Sequence, residues 1–404
     1  MSFRPRVAWS TVLILAILVT GSGRAAEFVD SAGRRVALPD RVERVFPADM
    51  AAAVLIFSLV PGKLVGWSRT LSSAQRAYLP AKYARLPTIG ELTGSNPAAA
   101  AAAVMRWRPD LIIASGVVTP QAAMLADRNE GQTRTPYIVL DSSIQRTPEM
   151  LRSIGTILGA GDHRLDVASY AYHAIQGLRG KLLIQSADNR PLVYYGLGSD
   201  GLTTGLTGAL VMAGIDEAGA VNVAARLGRG EFTRVTRERV LAWNPDIVIA
   251  QQRSFYDALR RDPEWRGLAA VRDQRVFLAP SQPFGWIDDP AGVNRMVGLY
   301  WLSDLFYPNS LEEDLRTNVR EFYQIFYGVA LTDRQLNALV RPAAPAAIAM
   351  QTGVAPVPML GAEPTPEPEL SPRAVPGAGP MPPVGPPERG GPPAKPPRGS
   401  NRPQ

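Results

Sequence analysis

The segments VMRWRPDLIIA at residues 104–114 and VLAWNPDIVIA at residues 240–250 decide the fold of this chain. Each contains Trp-x-Pro-Asp, where the proline ends a helix, and each continues into an apolar run long enough for one buried strand. The segments begin 136 residues apart, whereas solenoid repeats recur about every 20–50 residues. The repeat therefore predicts two similar α/β lobes with a cleft between them, and we expect the functional site in that cleft.

Strands and helices alternate on both sides of this repeat. After a small hairpin at residues 28–38, the chain has apolar runs typical of strands at 42–46, 63–67, 111–114, 137–140, 192–195, 247–250 and 276–279. Helical patterns separate these runs, which indicates parallel sheets with helices on both faces. We predict an α/β fold of two Rossmann-like lobes with parallel sheets, joined by a long bridging α-helix.

The chain divides into five predicted parts. They are a signal peptide at 1–25, an N-terminal α/β lobe at 26–147, a bridging helix at 148–184, a C-terminal α/β lobe at 185–330 and a disordered Pro-rich tail at 341–404. The helical pattern of the bridge is interrupted by Gly and Asp at 159–162. A helical strut of this kind permits modest movement of the lobes.

The N-terminus has the features of a secretory signal. Arg4 and Arg6 precede an apolar run at 7–19, and small residues follow near Ala25. The run is shorter than the roughly 20 residues that span a bilayer. The chain contains no cysteine, so we expect neither disulfides nor a lipid-modified cysteine. The sequence predicts a periplasmic protein with a cleavable signal peptide that is not a lipoprotein.

The C-terminal tail holds about half of the 37 prolines of the chain. Its Ala, Pro and Gly content cannot bury a core, so we expect an extended tether. Short PxxP-like runs leave partner binding as the alternative.

Charge and residue usage exclude several classes of function. The net charge of +7 comes from 43 basic and 36 acidic residues that form no dense basic run, which argues against nucleic-acid binding. The two histidines, His163 and His173, lie in the bridging segment. Because bare zinc or nickel sites need several imidazoles or thiolates, we expect no metal site in the protein.

Catalytic motifs are also missing from the sequence. It contains no G-x-S-x-G and no H-E-x-x-H, and the adjacent pair Asp288-Asp289 more often forms a turn than two facing carboxylates. We therefore predict a protein that is not an enzyme and has no cofactor. An exported hydrolase stays open as an alternative, since two facing carboxylates can come from distant positions.

Four features together resemble the substrate-binding proteins of ABC importers for iron chelates, haem, cobalamin and related metal complexes. They are DSAGRRV at 30–36 with Arg44-Val45, Val65-Gly66-Trp67, the paired Trp-x-Pro-Asp segments, and PFGWIDDP at 283–290 with Asn294-Arg295 and LYWL at 299–302. The similarity covers roughly residues 27–327. It implies a monomer that holds its ligand between the lobes and passes it to an ABC permease in the inner membrane.

The same resemblance implies docking glutamates seven residues before the proline of each Pro-Asp pair. In the C-terminal lobe this position is Glu238, but in the N-terminal lobe it is Ala102. Glu91 is the substitute that we predict for the N-terminal lobe, because it is nearby in sequence.

Ligand contacts are expected in the loops that follow parallel strands at their carboxyl ends. These loops supply Asp49, Trp67, Arg69, Ser115, Tyr195, Asp200, Gln251, Arg253, Phe284 and Trp286. The arginines can pair with an anionic ligand, and the aromatic rings can pack against a planar chelator. Trp107 and Trp243 are instead expected in the core, because they end helices just before buried strands.

The sequence thus predicts a periplasmic carrier that closes on its ligand and performs no chemistry. An iron chelate is the first candidate, and an oxoanion such as molybdate or tungstate, haem and cobalamin are alternatives. A periplasmic sensor or scaffold is the alternative from another class.

Overall fold

The computed structural model describes residues 27–92, 97–184, 189–308 and 314–340. All of these residues belong to one compact unit. The predicted signal peptide and Pro-rich tail lie outside them, so both stay predictions. Among the described helices, none is both long enough and apolar enough to cross a membrane.

The strands form two parallel sheets and two small antiparallel pairs. They are β1 Glu27–Val29, β2 Arg35–Ala37, β3 Val45–Pro47, β4 Leu111–Gly116, β5 Tyr137–Asp141, β6 Leu192–Gly196, β7 Thr203–Gly205, β8 Val221–Asn222, β9 Phe232–Arg234, β10 Ile247–Ala250 and β11 Val276–Leu278. The N-terminal sheet has the order β3-β4-β5 and the C-terminal sheet the order β11-β10-β6-β8, both parallel. The pairs β1-β2 and β7-β9 are antiparallel.

Helices cover the sheets and connect them. They are α1 Met50–Leu59, α2 Ser73–Arg76, α3 Ala81–Ala84, α4 Pro97–Trp107, α5 Pro120–Thr133, α6 Thr147–Ile157, α7 His163–Ile184, α8 Ala213–Glu217, α9 Arg237–Trp243, α10 Arg253–Arg261, α11 Ala269–Arg272, α12 Arg295–Phe306, α13 Leu315–Tyr327 and α14 Asp333–Val340. The predicted α/β class with two parallel-sheet lobes is confirmed.

The repeated Pro-Asp turns have the same structure in both lobes. The helices α4 and α9 end at Trp107 and Trp243, and the next residues, Arg108 and Asn244, are left-handed with φ of 43° and 42°. A left-handed residue after a helix reverses the chain direction. The turn therefore sends the chain directly into a buried strand, β4 or β10, as the sequence predicted.

The aspartate of each turn attaches it to the first strand of its lobe. Asp110 Oδ2 accepts the backbone N–H groups of Glu43 at 2.7 Å and Arg44 at 2.8 Å. Asp246 Oδ2 accepts the N–H of Leu192 at 2.8 Å, and its own N–H donates to the Leu192 carbonyl at 2.8 Å. These bonds satisfy backbone N–H and C=O groups of residues that lie just before the parallel pairing of β3 with β4 and of β6 with β10 begins.

The segment predicted as one bridging helix is two helices. The chain turns at Gly159 and Gly161, both with positive φ of 68° and 59°, and α6 packs back against α7. Only the 22-residue α7 is long enough to act as the bridge. Glycine is needed at these two positions because side chains with a Cβ are strained in that backbone conformation.

Helices at the C-terminal end of the described chain return to the N-terminal lobe, which the sequence did not predict. Helix α13 packs against α1 and α7. The ring of Tyr327 lies 5.9 Å from that of Phe57 in α1, and Gln335 Nε2 in α14 donates to the Ala77 carbonyl at 3.1 Å. One apolar core therefore runs through α1, α7, α12 and α13 and includes side chains from both lobes.

Two local predictions were wrong. Residues 63–67 form no strand and contribute only the isolated bridges Val45↔Leu64 and Trp67↔Thr88. The antiparallel pair β7-β9 and the short strand β8 lie in a Gly-rich region that gave no strand pattern. Both errors concern short segments, whose pairing depends on tertiary contacts more than on their own propensity.

Removing the turn carboxylates should destabilise the fold in proportion to the bonds that they accept. A net contribution of about 1 kcal/mol per hydrogen bond gives Asp110→Ala a loss of about 2 kcal/mol in the free energy of unfolding, and Asp246→Ala about half of that. Urea denaturation of both variants measures the difference. Equal losses, or no loss for Asp110→Ala, would contradict this role of the turns.

Candidate functional site

The segment of residues 283–295, here called the crossing segment, runs between the carboxyl ends of the two parallel sheets. Its middle, at Asp288, contacts Gln251 directly after β10. Its end, at Arg295, contacts Ser142 directly after β5. In open α/β sheets, ligands bind at these carboxyl ends. The crossing segment and the loops that it contacts therefore form the candidate site.

Internal hydrogen bonds hold the crossing segment in place. Gly285 N–H donates to the Asp289 carbonyl at 2.6 Å, and Asn294 Nδ2 donates to the carbonyls of Gly285 and Pro290. A Cβ at Gly298 in α12 would overlap the Trp286 carbonyl. The segment thus lies tightly against α12, and only glycine fits at that contact.

On the N-terminal side, Asp49 caps α1 and also binds the end of β4. Its Oδ1 accepts the Ala52 N–H and its Oδ2 accepts the Ser115 N–H, both at 2.8 Å. Burial raises the pKa of Asp49 to about 6, the two backbone donors act against this rise, and the charge of Glu91 adds to it. The structure therefore brings Asp49, Ser115 and Glu91 together.

On the C-terminal side, Asp288 lies against two residues that the sequence predicted as site residues. Its Oδ2 accepts from Gln251 Nε2 at 2.6 Å, and the Tyr195 hydroxyl lies beside its carboxyl group. Burial raises the pKa of Asp288 to about 6, and the neighbouring Asp289 adds to the rise, while Tyr195 and Gln251 act against it. Gln251 also accepts the Gly198 N–H at 3.1 Å.

Arg69 joins the two sides of the site. Its Nε lies 3.2 Å from Glu91 Oε1 in its own lobe, and its Nη2 lies 2.9 Å from Asp289 Oδ1 in the crossing segment. The side chain is about half exposed, so each pair contributes at most about 1 kcal/mol. Arg69 is therefore part of the candidate site, and both of its contacts are weak enough to open. Its contact with a ligand stays a prediction.

Arg295 is the most unusual side chain of the site. It is 1% exposed, its Nη2 donates to the Ser142 carbonyl, and its Nε donates to the Gly292 carbonyl at 3.2 Å. Its Nη1 has no partner among the described residues. Burial lowers the pKa of Arg295 to about 10. The charge of Asp141 acts against this lowering, but Asp141 forms its ion pair with Arg146 and not with Arg295. The guanidinium is thus buried without a bonded counter-charge.

The sequence prediction of site residues missed Arg295, Asn294 and Ser142. A signal for them was present, because Asn294-Arg295 lies between the apolar residues Val293 and Met296, all of which are buried. A charged residue enclosed by apolar neighbours predicts a buried charge that needs a partner. The partner, however, is the Ser142 carbonyl directly after β5, 153 residues earlier in the chain.

Four predicted aromatic contacts are parts of the core in this structure. Trp67, Phe284 and Trp286 are each 1% exposed, and Tyr195 is 0% exposed. Trp67 Nε1 donates to the Tyr83 carbonyl at 2.9 Å, and its ring lies 5.5 Å from that of Phe284. The expectation that these rings line an open cleft is therefore corrected. They support the crossing segment from the core side, because burying large rings is more favourable than exposing them.

Two further predicted residues lie apart from this cluster. Asp200 pairs with Arg234 at 2.6 Å, and Arg253 pairs with Asp257 at 3.1 Å on α10. Both pairs are local to the C-terminal lobe. A ligand contact by Asp200 or Arg253 stays a prediction.

The two predicted docking residues lie in different surroundings. Glu238 is exposed in the first turn of α9, whereas Glu91 pairs with Arg69 at the site. Glu91 does not lie on α4, and its carboxylate pairs with Arg69 in the candidate site, which favours Glu238 over Glu91 as the docking residue. Ala102, at the position equivalent to Glu238, is exposed on α4.

The described residues contain no cluster of three or more potential metal ligands. His163 Nε2 instead lies 2.8 Å from the Ser58 carbonyl, between α7 and α1. The geometry of the site is that of a polar binding surface with two partly buried carboxyl groups and one buried guanidinium.

Comparison with known proteins identifies relatives of this fold. Residues 99–283 match the family model described as periplasmic binding protein. The molybdate-binding protein MolA of Haemophilus influenzae is 33% identical over 145 residues, which are 35% of this chain and 40% of that protein. The match thus spans less than half of that relative's length.

Solved structures match over a longer stretch. An ABC transporter solute binding protein from Sulfurospirillum deleyianum has a TM-score of 0.70 and 23% identity, covering 78% of this chain and 98% of its own. MolA of Haemophilus influenzae bound to molybdate has a TM-score of 0.63 and 19% identity, covering 76% and 99%. At these identities, the likeness shows that the fold is shared.

The raised pKa of Asp288 should make stability depend on pH in one direction. Its folded-state pKa of about 6 lies above the usual 3.8, so its contribution to stability is complete below pH 3.8 and is lost as the pH rises through about 6. Asp288→Asn removes this pH-dependent loss of stability, because the amide side chain does not ionise. Its unfolding free energy should gain about 1–2 kcal/mol relative to wild type between pH 5 and pH 8.

Urea titrations at both pH values measure this gain. The matched control is Asp273→Asn at the exposed end of α11, which should give no pH-dependent difference. If the difference in unfolding free energy between Asp288→Asn and wild type were the same at pH 5 and pH 8, burial would not disfavour the ionised form of Asp288.

Proposed function

We propose that the chain is the solute-binding component of an ABC importer. Residues 99–283 match the family model of periplasmic binding proteins, and the fold is shared with a solved solute-binding protein. The protein holds its solute between the lobes in the periplasm and delivers it to an inner-membrane permease. The two parallel sheets, whose carboxyl ends meet at the crossing segment, support this proposal. The reaction is binding and release, without a chemical step.

The buried guanidinium of Arg295 is the observation that carries the choice of solute. A charge that is enclosed by protein without a bonded counter-ion costs several kcal/mol. An anion that reaches Nη1 would replace this cost with a charge-assisted hydrogen bond. We infer that the solute is an anion, and that it is an oxoanion of the molybdate type. The partial match to a molybdate-binding protein supports the same choice.

This proposal places the oxoanion, an alternative from the sequence, ahead of the iron chelate. A planar chelator was expected to lie against Trp67 and Trp286, but these rings are packed in the core and Trp67 Nε1 is already bonded. Arg295 is equally buried, but its Nη1 has no partner among the described residues. No contact among the described residues favours the chelate specifically. It therefore enters the binding experiment as the comparison ligand.

Opening and closing would involve small movements. The shared apolar core through α1, α7, α12 and α13 ties the lobes together, and such a core resists large separation of its parts. Asp289–Arg69 is the contact across the mouth of the site, and it is partly exposed. Breaking it costs about 1 kcal/mol or less, so a solute can enter without disruption of the core.

Replacing the buried arginine should remove anion binding and keep the fold. We expect Arg295→Met to weaken molybdate binding about 100-fold or more, because a charge-assisted bond in a buried site contributes roughly 3 kcal/mol or more. Its stability without ligand should be equal to wild type or higher, since an apolar residue of similar volume avoids the burial of an unpaired charge.

Isothermal titration calorimetry with molybdate and with a ferric hydroxamate complex, together with thermal melting, measures both effects. Arg41→Met is the matched control, because Arg41 is exposed, pairs locally with Glu43 and is not a predicted ligand contact. Undiminished molybdate binding by Arg295→Met would reject the anion site. If wild type bound only the ferric complex, the iron chelate would replace the oxoanion as the favoured solute.

Docking on the permease should depend on Glu238 and not on Glu91. An exposed ion pair makes a small contribution, so Glu238→Gln should weaken docking about threefold to fivefold. The matched variant Glu91→Gln lies in the site and should leave docking unchanged. The measurement is stimulation of permease ATPase activity in proteoliposomes as a function of the concentration of solute-loaded protein, and equal effects of the two variants would contradict the assignment.

A further inference from the structure

Three buried polar atoms without partners among the described residues lie in the crossing segment and in the loop that it contacts. They are Ser142 Oγ, Asn294 Oδ1 and Arg295 Nη1, in residues that are 3%, 0% and 1% exposed. Arg295 Nη2 bonds the carbonyl of Ser142, and Gly292 lies against both Asn294 Oδ1 and Arg295 Nε. Buried polar atoms are normally satisfied, so three of them in two contacting segments indicate a missing ligand.

The hydrogen-bonding character of these atoms follows from their neighbours. Asn294 Nδ2 donates to two carbonyl oxygens, of Gly285 and Pro290. The reversed amide would place its oxygen against both carbonyls, so Oδ1 is fixed as an acceptor. Arg295 Nη1 can only donate, and the hydroxyl of Ser142 can do either.

A fully deprotonated oxoanion matches only part of this arrangement. Its oxygens accept hydrogen bonds, so they pair with Arg295 Nη1 and with the Ser142 hydroxyl. The same anion has no proton for Asn294 Oδ1, and an oxygen facing another oxygen leaves a buried acceptor unsatisfied, which costs about 1–3 kcal/mol.

We propose that the solute presents at least one hydrogen-bond donor to Asn294 Oδ1, together with an anionic oxygen that accepts from Arg295 Nη1. The donor is the hydroxyl of a protonated oxoanion or a water or hydroxide bound to its central atom. This inference rests on the proposed binding of an oxoanion between the lobes and narrows its chemical class.

The protonation state of common oxoanions makes the proposal specific. Near neutral pH, phosphate and arsenate keep a proton, whereas sulfate and molybdate do not. Hydrogenphosphate and sulfate have the same charge and nearly the same size, so they differ mainly in the donor. A site that bonds a solute hydroxyl rejects the analogue without it far more strongly than size differences allow.

The test is calorimetry on the full wild-type protein with phosphate, arsenate, sulfate and molybdate at neutral pH. We expect phosphate and arsenate to bind about tenfold or more tightly than sulfate. We also expect molybdate to bind with uptake of about one proton, measured by repeating the titration in buffers of different ionisation enthalpy. Equal affinity for phosphate and sulfate, without proton uptake by molybdate, would overturn the inference.

This outcome is distinct from failure of the proposed function. If none of the four anions binds, the oxoanion assignment itself is wrong. If all four bind but without preference or proton uptake, the anion site stands and the donor requirement falls. In that case an ordered water satisfies Asn294 Oδ1.

A substitution isolates the acceptor. Asn294→Ser removes Oδ1, so the ratio of phosphate to sulfate affinity should fall toward one. The control is Asn318→Ser, a buried asparagine in α13 whose Nδ2 donates to the Asp314 carbonyl, and it should keep the wild-type ratio. Melting temperatures of both variants report folding. If Asn294→Ser does not fold, proton uptake by the wild-type protein still decides the question.

Discussion

The carboxylates of Asp110 and Asp246 hold together the two turns on which the rest of the structure depends. Each turn ends a helix with a left-handed residue, enters a buried parallel strand, and binds the first strand of its lobe through an aspartate. The same bonds in both lobes make the sheets begin in the same way. Because parallel strands all end on one side, the loops at their carboxyl ends converge on the crossing segment.

The two lobes are nevertheless one folded body over the described residues. Helices α12 and α13 carry the chain back to α1 and α7, and rings such as those of Tyr170 and Phe326, 5.5 Å apart, fill the junction. This packing explains why Trp67, Phe284 and Trp286 are buried. Their role is to position the crossing segment, and so to place Asp288 against one sheet and Arg295 against the other.

The site combines charges in unequal surroundings. Arg69, Glu91 and Asp289 form partly exposed pairs that water and salt screen, so they can separate at little cost. Arg295 and Asn294 are fully enclosed, so an unmatched atom there is costly. A carrier needs both properties, since an easily opened mouth permits exchange and an enclosed polar interior supplies selectivity.

The sequence by itself determined the two α/β lobes, the entry hairpin and the parallel strands β4, β5, β6, β10 and β11. It also predicted ligand contacts for Asp49, Arg69, Ser115, Tyr195 and Gln251, which the structure places at the candidate site and which stay predictions. These features follow from local patterns, because helix ends, Pro-Asp turns and apolar runs act over a few residues. Only the tertiary structure decided that the bridge is α7 alone, that α13 and α14 return to the first lobe, and that Glu91 pairs with Arg69. It alone brought Arg295 to the carbonyl of Ser142. Contacts between such distant positions depend on how whole elements pack, and the free energy of burying one charge or ring depends on neighbours that the local sequence does not specify.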